Sequence, residues 1–227
     1  MMKIMSKKLM VMLFFIVMLI AVFCIQSSFC QEHPYTEIFQ KAAQEFNIPA
    51  SLLMALGWEE SHWSMHAGQP SIDQAYGIMG LRSRKDFDAL RLAAKLIGLE
   101  PEKLKLDAEA NIYGAASLLR HLANEMLKEG NPSPDDRPDT WENVLIQYSG
   151  IPNYSLGLDF SYGIFYYLNF GVNQEADDKN GIVYIPKVFL DFKTIYKYRE
   201  PMIQAPSIFS TMSQDYPSAF WVPANIN

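Results

Sequence analysis

The sequence predicts a mainly α-helical domain, because two kinds of signal agree along residues 35–170. Apolar residues recur there at spacings of three and four, which places them on one face of a helix. Residues that favour helix ends, such as Asp107 and Gly130, stand where these periodic stretches start or stop. Beyond Gly171 the periodicity ends, and only residues 182–185 (IVYI) suit a short strand. We therefore expect one helical domain followed by an irregular C-terminal extension.

Two helices are predicted at the start of this domain. The first covers residues 35–46, and the second begins at Pro49, a residue well suited to a first helical turn, and runs toward Glu60. Residues 63–83 then lose the helical period and are rich in glycine, so we expect a long surface loop.

Helical spacing returns in four later stretches. Asp107 is a suitable N-cap for the longest of them, and Gly130 a suitable stop. The predicted helices cover residues 87–97, 107–129, 141–148 and 158–168.

The first thirty residues have the layout of a secretory signal peptide. Three lysines precede an uncharged apolar run of 17 residues, and small polar residues follow it. Ser28 and Cys30 suit a cleavage site, which gives a signal peptide at residues 1–30 and a new N-terminus at Gln31. The alternative is an uncleaved membrane anchor, since 17 apolar residues reach the lower limit for crossing a bilayer. We expect export to the periplasm, the cell wall or the extracellular medium.

Composition argues against nucleic acid as a partner. Without the leader the chain has 16 basic and 25 acidic residues, a net charge of −9, and no basic run interleaved with aromatic residues. Both cysteines lie in the leader, so the remaining chain would have no disulfide and no cysteine metal site. We expect no cofactor, and contact with a membrane only through an uncleaved leader.

Glu60 is a candidate acid for chemistry. Leu53, Leu56 and Gly57 precede it by seven, four and three residues, so its side chain should project from the apolar face of the helix. Poor solvation raises the pKa of a carboxyl, which suits a general acid near neutral pH. Glu59 fits this pattern almost as well, and spacing alone does not separate the two.

Four segments, taken in order, resemble one enzyme family. Any one of the motifs is weak by itself, whereas their order and spacing together are specific. The four segments are residues 60–63 (ESHW), 76–81 (YGIMGL), 107–112 (DAEANI) and 147–150 (QYSG). They resemble the Glu-Ser motif, the Gly-Leu-Met-Gln loop, the Asp-Pro-x-x-Asn-Ile helix start and the Ala-Tyr-Asn-Ala-Gly segment of soluble lytic transglycosylases and goose-type lysozymes. The resemblance covers about residues 35–170, and it implies a lysozyme-like helical fold.

The resemblance singles out Glu60, because the Glu of the Glu-Ser motif is catalytic in that family. It implies a peptidoglycan lytic transglycosylase that cleaves the bond between N-acetylmuramic acid and N-acetylglucosamine. Glu60 would act as the single acid and base, and the product would be a 1,6-anhydro sugar formed without water. Asp73, in the Gly-rich loop, could be a second acid or an ordinary turn aspartate.

Five further residues are expected at the substrate-binding site. Ser61 either supports Glu60 by hydrogen bonding or only caps the helix. Tyr148 either contacts glycan or packs on neighbouring core residues. The expected substrate-binding residues are Ser61, Tyr76, Gly77, Met79 and Tyr148. No metal is expected, because the histidines and aspartate of residues 62–73 match no closed zinc pattern.

Two residues depart from the family pattern. Gly80 stands where the family usually has Gln, and Ser149 where it usually has Asn; both side chains normally help to hold sugar. An alternative function is therefore a catalytically weak glycan-binding module that remains from a truncated amidase.

The same departures resemble a subgroup of these domains found before zinc N-acetylmuramoyl-L-alanine amidase domains. Residues 215–224 (DYPSAFWVPA) resemble the connector into the amidase. We accordingly expect a lytic transglycosylase-like domain at residues 31–172 and, at 173–227, an extension resembling a linker to a missing amidase domain.

Overall fold

α-Helices make up most of the computed structural model, which describes residues 32–130 and 133–190. This confirms the mainly α fold class. The expected signal peptide and the segment resembling an amidase connector lie outside the described residues. The helices are α1 (Tyr35–Glu45), α2 (Ala50–Ser61), α3 (Ala89–Leu96), α4 (Pro101–Leu106), α5 (Ala108–Lys128), α6 (Glu142–Ser149) and α7 (Tyr154–Phe170).

Helix α2 lies at the centre of the core. Every residue from 52 to 58 is buried, which fits a helix that is apolar on all sides until its last turn. It packs against α1 and α7, while the long helix α5 contacts α1, α3, α4 and α6. The only charged residues of α2 are Glu59 and Glu60, so both carboxyls emerge at the end of a buried helix.

Side-chain caps fix several helix starts. Asp107 Oδ1 accepts a hydrogen bond from the Ala110 amide at 3.0 Å, which confirms the predicted N-cap of α5. Asn153 caps α7 in the same way, so this helix begins before the predicted residue 158. Helix α4 was not predicted, because its six residues are too few to show a helical period.

The segment at residues 63–83 is not only the surface loop that the glycines suggested. It contains a 3₁₀ turn at His66–Gly68 and an antiparallel pair, β1 (Ala75–Tyr76) with β2 (Leu81–Arg82). Ile78, Met79 and Leu81 are fully buried. The prediction of a surface loop was wrong for the second half of the segment, residues 75–82, since its apolar side chains enter the core.

A second antiparallel pair follows α7. It joins β3 (Val172–Glu175) to β4 (Ile182–Ile185), which confirms the predicted strand. Its buried residues Val183 and Ile185 belong to the same core as the helices. The Asp177 amide donates to the His62 carbonyl at 3.2 Å, so this hairpin holds the end of α2.

None of the helices within the described ranges is long and apolar enough to cross a membrane.

Candidate active site

Glu60 lies in the last turn of α2 and pairs with an arginine on β2. Its Oε1 accepts a hydrogen bond from Arg82 Nη1 at 2.9 Å. Only 5% of either residue is exposed. The two charges therefore face each other almost without solvent, where their interaction is much stronger than at a surface.

The surroundings of Glu60 act on its carboxyl in opposite directions. Burial raises its pKa, because a low-dielectric core disfavours the charged form. The Arg82 guanidinium opposes this rise, and the negative charge of Asp73 adds to it. The net direction is a raised pKa, so Glu60 can hold a proton at a higher pH than an exposed glutamate does.

Gly80 makes room for the Glu60 carboxyl. Its φ of +57° lies in the left-handed region, and a Cβ atom built on it would overlap Glu60 Oε2. By resemblance to the family, Gly80 means the loss of a sugar-binding amide. The structure adds that the space a side chain would fill is occupied by the carboxyl, which turns toward Arg82.

Asn111 of α5 anchors the loop that faces Glu60. Its Oδ1 accepts from the Met79 amide at 2.8 Å, and its Nδ2 donates to the carbonyls of Tyr76 and Leu104 at 3.2 and 2.9 Å. A Cβ atom on Gly77 would overlap the Asn111 amide, which explains the glycine there. Asn111 belongs to one of the four family-like segments, but the sequence alone did not predict this anchoring role.

Two predicted site residues hold the same loop from other sides. Ser61 Oγ donates to the Ile78 carbonyl at 2.8 Å. The Tyr148 hydroxyl donates to the Met79 carbonyl at 2.5 Å. The side chains of Ser61, Met79 and Tyr148 are all buried, so they pack against other residues of the protein. Tyr148 also lies in the core, in agreement with the packing alternative.

Tyr76 is the more accessible of the predicted substrate-binding side chains. It is half-buried, and the Lys105 ammonium lies 4.6 Å from the centre of its ring. The structure thus brings Glu60, Ser61, Met79 and Tyr148 together around one loop, with Tyr76 at its start. Whether these residues bind substrate stays a prediction.

The neighbouring acid, Glu59, faces a different part of the protein. It lies against Gly163 of α7, where a Cβ atom on residue 163 would overlap the Glu59 carboxyl. Together with burial, the negative charge of Glu59 raises the pKa of Tyr167. Burial, helped by the charge of Glu60, raises the pKa of Glu59 to about 8. Tertiary packing therefore separates two acids that the helical spacing did not.

Three other features bear on the site. Ser149 Oγ donates to the Ile146 carbonyl at 2.7 Å, so it bonds back to the last turn of α6. No group of three metal-binding side chains occurs in the part of the chain that the structure describes. A cavity of about 540 Å³, lined by Phe46, Leu99 and Tyr113 among others, includes none of the predicted site residues.

Comparison with known proteins identifies the family. The transglycosylase SLT domain matches residues 37–153, just over half of the chain and the part that contains Glu60, the anchored loop and α6. The chain belongs to the transglycosylase SLT family. Its four ordered segments all lie within the matched residues.

The chain is also similar to two curated proteins. It is 36% identical over 103 residues to membrane-bound lytic murein transglycosylase F 2 of Alkalilimnicola ehrlichii, covering 44% of this chain and 19% of that protein. It is 33% identical over 101 residues to membrane-bound lytic murein transglycosylase F of Marinobacter nauticus, covering 44% and 17%. The match thus spans less than a fifth of each relative. No solved structure gives a significant match.

Proposed function

We propose that this SLT domain is a peptidoglycan lytic transglycosylase with Glu60 as its single acid and base. The observation that carries the proposal is the buried Glu60 carboxyl facing the anchored loop, within the residues that match the family. The names of the two relatives, both lytic murein transglycosylases, support the same reaction.

The reaction requires Glu60 to give a proton and then take one back. As acid, Glu60 protonates the glycosidic oxygen between N-acetylmuramic acid and N-acetylglucosamine, and the bond to the muramyl anomeric carbon breaks. As base, it removes the proton of the muramyl 6-hydroxyl, whose oxygen attacks the same carbon. The products are a new sugar 4-hydroxyl end and a 1,6-anhydro end, and no water is consumed. The raised pKa of Glu60 supports the first step, and the Arg82 pairing supports the second.

The loop anchored by Asn111 supports the geometry of the site. It is held at the Met79 amide by Asn111 and at the Met79 carbonyl by Tyr148. We infer that Tyr76 and Gly77 contact the glycan along this loop. Ser61, Met79 and Tyr148 position the loop from the core. A rigid loop against the acid favours a fixed orientation of the bond to be cleaved.

A glycan-binding module without catalysis is the second candidate. The Glu60–Arg82 ion pair favours it, because an arginine at 2.9 Å stabilises the ionised carboxylate rather than the acid that must donate. The two candidates differ in whether glycan strands are cut.

Digestion of purified peptidoglycan tests the proposal. The chain and its Glu60→Gln and Glu59→Gln variants are each incubated with sacculi, and released muropeptides are analysed by mass spectrometry. We expect anhydro-ended products from the wild type and from Glu59→Gln, and none from Glu60→Gln. Products with reducing ends would indicate hydrolysis instead. No release by the wild type, together with retained binding to sacculi, would favour the binding module.

We further propose that the chain is exported and belongs to the subgroup of SLT domains that precede zinc amidases. The charged start and apolar run of the leader support export, as does a substrate that lies outside the cytoplasmic membrane. Gly80 and Ser149 support the subgroup. N-terminal sequencing of the protein from a cell-envelope fraction tests the expected cleavage before Gln31.

A further inference from the structure

Arg82 has more hydrogen-bonding capacity than the described residues use. Its Nη1 donates to Glu60 Oε1 at 2.9 Å and, more weakly, to the Gly80 carbonyl at 3.4 Å. A guanidinium carries five N–H donors. Those on Nε and Nη2 donate to no residue within 32–130 and 133–190. An arginine that is 5% exposed and has an unused edge points to a ligand that completes it.

The surroundings of Arg82 fix the kind of ligand. The ring of Phe160 lies 5.8 Å from its guanidinium carbon and offers no acceptor atom in its plane. Asp73 contributes negative charge nearby but accepts no hydrogen bond from Arg82. A planar fork of N–H groups matches a carboxylate better than it matches a hydroxyl or an amide.

The reaction itself leaves Arg82 without its direct counter-ion. When Glu60 is protonated for the acid step, the carboxylate that faces Arg82 becomes neutral. A buried cation without a paired anion is costly, and this would work against protonation of Glu60. An anion from the substrate would remove that conflict, because it would pair with Arg82 while Glu60 holds the proton.

The glycan strand offers one such anion close to the scissile bond. N-acetylmuramic acid carries a lactyl ether on the same ring whose anomeric carbon is attacked. When a stem peptide is attached, the lactyl carbonyl is a neutral amide. When the peptide has been removed, it is a carboxylate. The other groups on the two sugars are neutral hydroxyls and acetamides.

We propose that Arg82 binds the free lactyl carboxylate of a peptide-free N-acetylmuramic acid residue, so that peptide-free glycan is the preferred substrate. The inference rests on the proposed transglycosylase function. It places this chain after a reaction that hydrolyses the amide between the lactyl group and the stem peptide. Arg82 is then a specificity-determining residue, whose Nε and Nη2 edge pairs with the substrate carboxylate while Glu60 holds the proton.

The test compares three substrates made from the same sacculi. The first keeps its stem peptides, the second has been stripped by an amidase, and the third has been stripped and its lactyl carboxylates converted to methylamides. Initial rates of anhydro-end formation are measured for the wild type, Arg82→Met and Arg82→Lys. Arg91→Met is the matched control, because the Arg91 side chain is 81% exposed on α3.

We expect the wild type and Arg91→Met to cleave stripped glycan at least about tenfold faster than its methylamide, as expected for loss of one charge-assisted hydrogen bond. Arg82→Met should cleave both at the same rate, and Arg82→Lys should keep part of the preference. The wild-type comparison of substrates needs no variant, so it decides the matter even if Arg82→Met does not fold. Equal wild-type rates on the two stripped glycans, or faster cleavage of peptide-bearing strands, would overturn the proposal while leaving the transglycosylase function intact.

A binding measurement distinguishes failure of carboxylate binding by Arg82 from failure of the proposed transglycosylase reaction. The Arg82 Nε–Hε signal is followed by NMR in the wild-type chain during titration with N-acetylmuramic acid and, separately, with N-acetylglucosamine, which lacks the lactyl group. We expect N-acetylmuramic acid alone to shift it. If no substrate is cleaved, the proposed function fails, and this shift still supports carboxylate binding; an unmoved signal would refute it.

Discussion

The Glu60 carboxyl occupies the space that a side chain on residue 80 would fill. A Cβ atom on Gly80 would overlap Glu60 Oε2, and the left-handed φ of +57° independently favours glycine. This contact allows Glu60 to reach Arg82 across the loop. The identity of residue 80 therefore controls the partner of the proposed acid.

Substitution of Gly80 tests this relationship directly. Gly80→Ala should lower stability by about 1–3 kcal/mol more than Gly98→Ala, since both residues have left-handed φ but a Cβ atom on Gly98 meets nothing within 4 Å. We also expect the cleavage rate to fall at least about tenfold in Gly80→Ala alone, because the acid is displaced. Urea unfolding and product release measure the two effects. Equal effects of the two substitutions would show that the contact with Glu60 is unimportant.

Removal of the Asn111 side chain should loosen the loop. Asn111→Ala leaves the Met79 amide and the Tyr76 and Leu104 carbonyls without their buried partner, which should cost roughly 2–4 kcal/mol. Asn173→Ala, at an exposed position on β3, should change the free energy of unfolding by less than about 0.5 kcal/mol. Chemical denaturation checks both. A small effect at Asn111 would mean that the loop is held mainly by other contacts.

The Tyr148 hydroxyl should contribute through its bond to Met79. Tyr148→Phe keeps the ring and removes only the donor to the Met79 carbonyl, so we expect a loss of about 1–2 kcal/mol and a lower cleavage rate. Tyr166→Phe serves as control, since Tyr166 is 45% exposed. Thermal unfolding and kinetics on the same preparations provide the readout. An unchanged melting temperature for Tyr148→Phe would contradict the assigned positioning role.

Glu59 should make stability fall as pH rises. Its pKa is about 8 in the folded protein against an ordinary value of 4.5, so between these values the folded state holds a proton that the unfolded state has released. Glu59 therefore has no effect on the free energy of unfolding below about pH 4.5. The free energy of unfolding declines between pH 4.5 and pH 8, and the total loss above pH 8 is at most about 5 kcal/mol.

Glu59→Gln should therefore stabilise the protein at pH 8.5 and have little effect at pH 4.5. Unfolding free energies at pH values from 4 to 9 give the slope, and Glu45→Gln, near the exposed end of α1, is the control. A pH dependence of stability that is the same in Glu59→Gln and wild type would refute the raised pKa.

Much of this protein was determined by local sequence. The spacing of apolar residues located α1, α2, α5 and α6 to within a few residues, because apolar residues that recur every three or four positions can be buried together by a helix. Asp107 capped α5 as its residue type predicts. The ordered motifs placed Glu60 at the end of α2 and identified the family that the comparison then matched.

The arrangement around the acid was decided only by tertiary structure. The pairing of Glu60 with Arg82 joins residues 22 apart, the Asn111 anchor spans 32, and the bond from Tyr148 to Met79 spans 69. No periodicity of one helix reports such contacts. For the same reason, the different neighbours of Glu59 and Glu60, and the space that Gly80 leaves for a carboxyl, emerge only when α2, β2, α5 and α7 pack together.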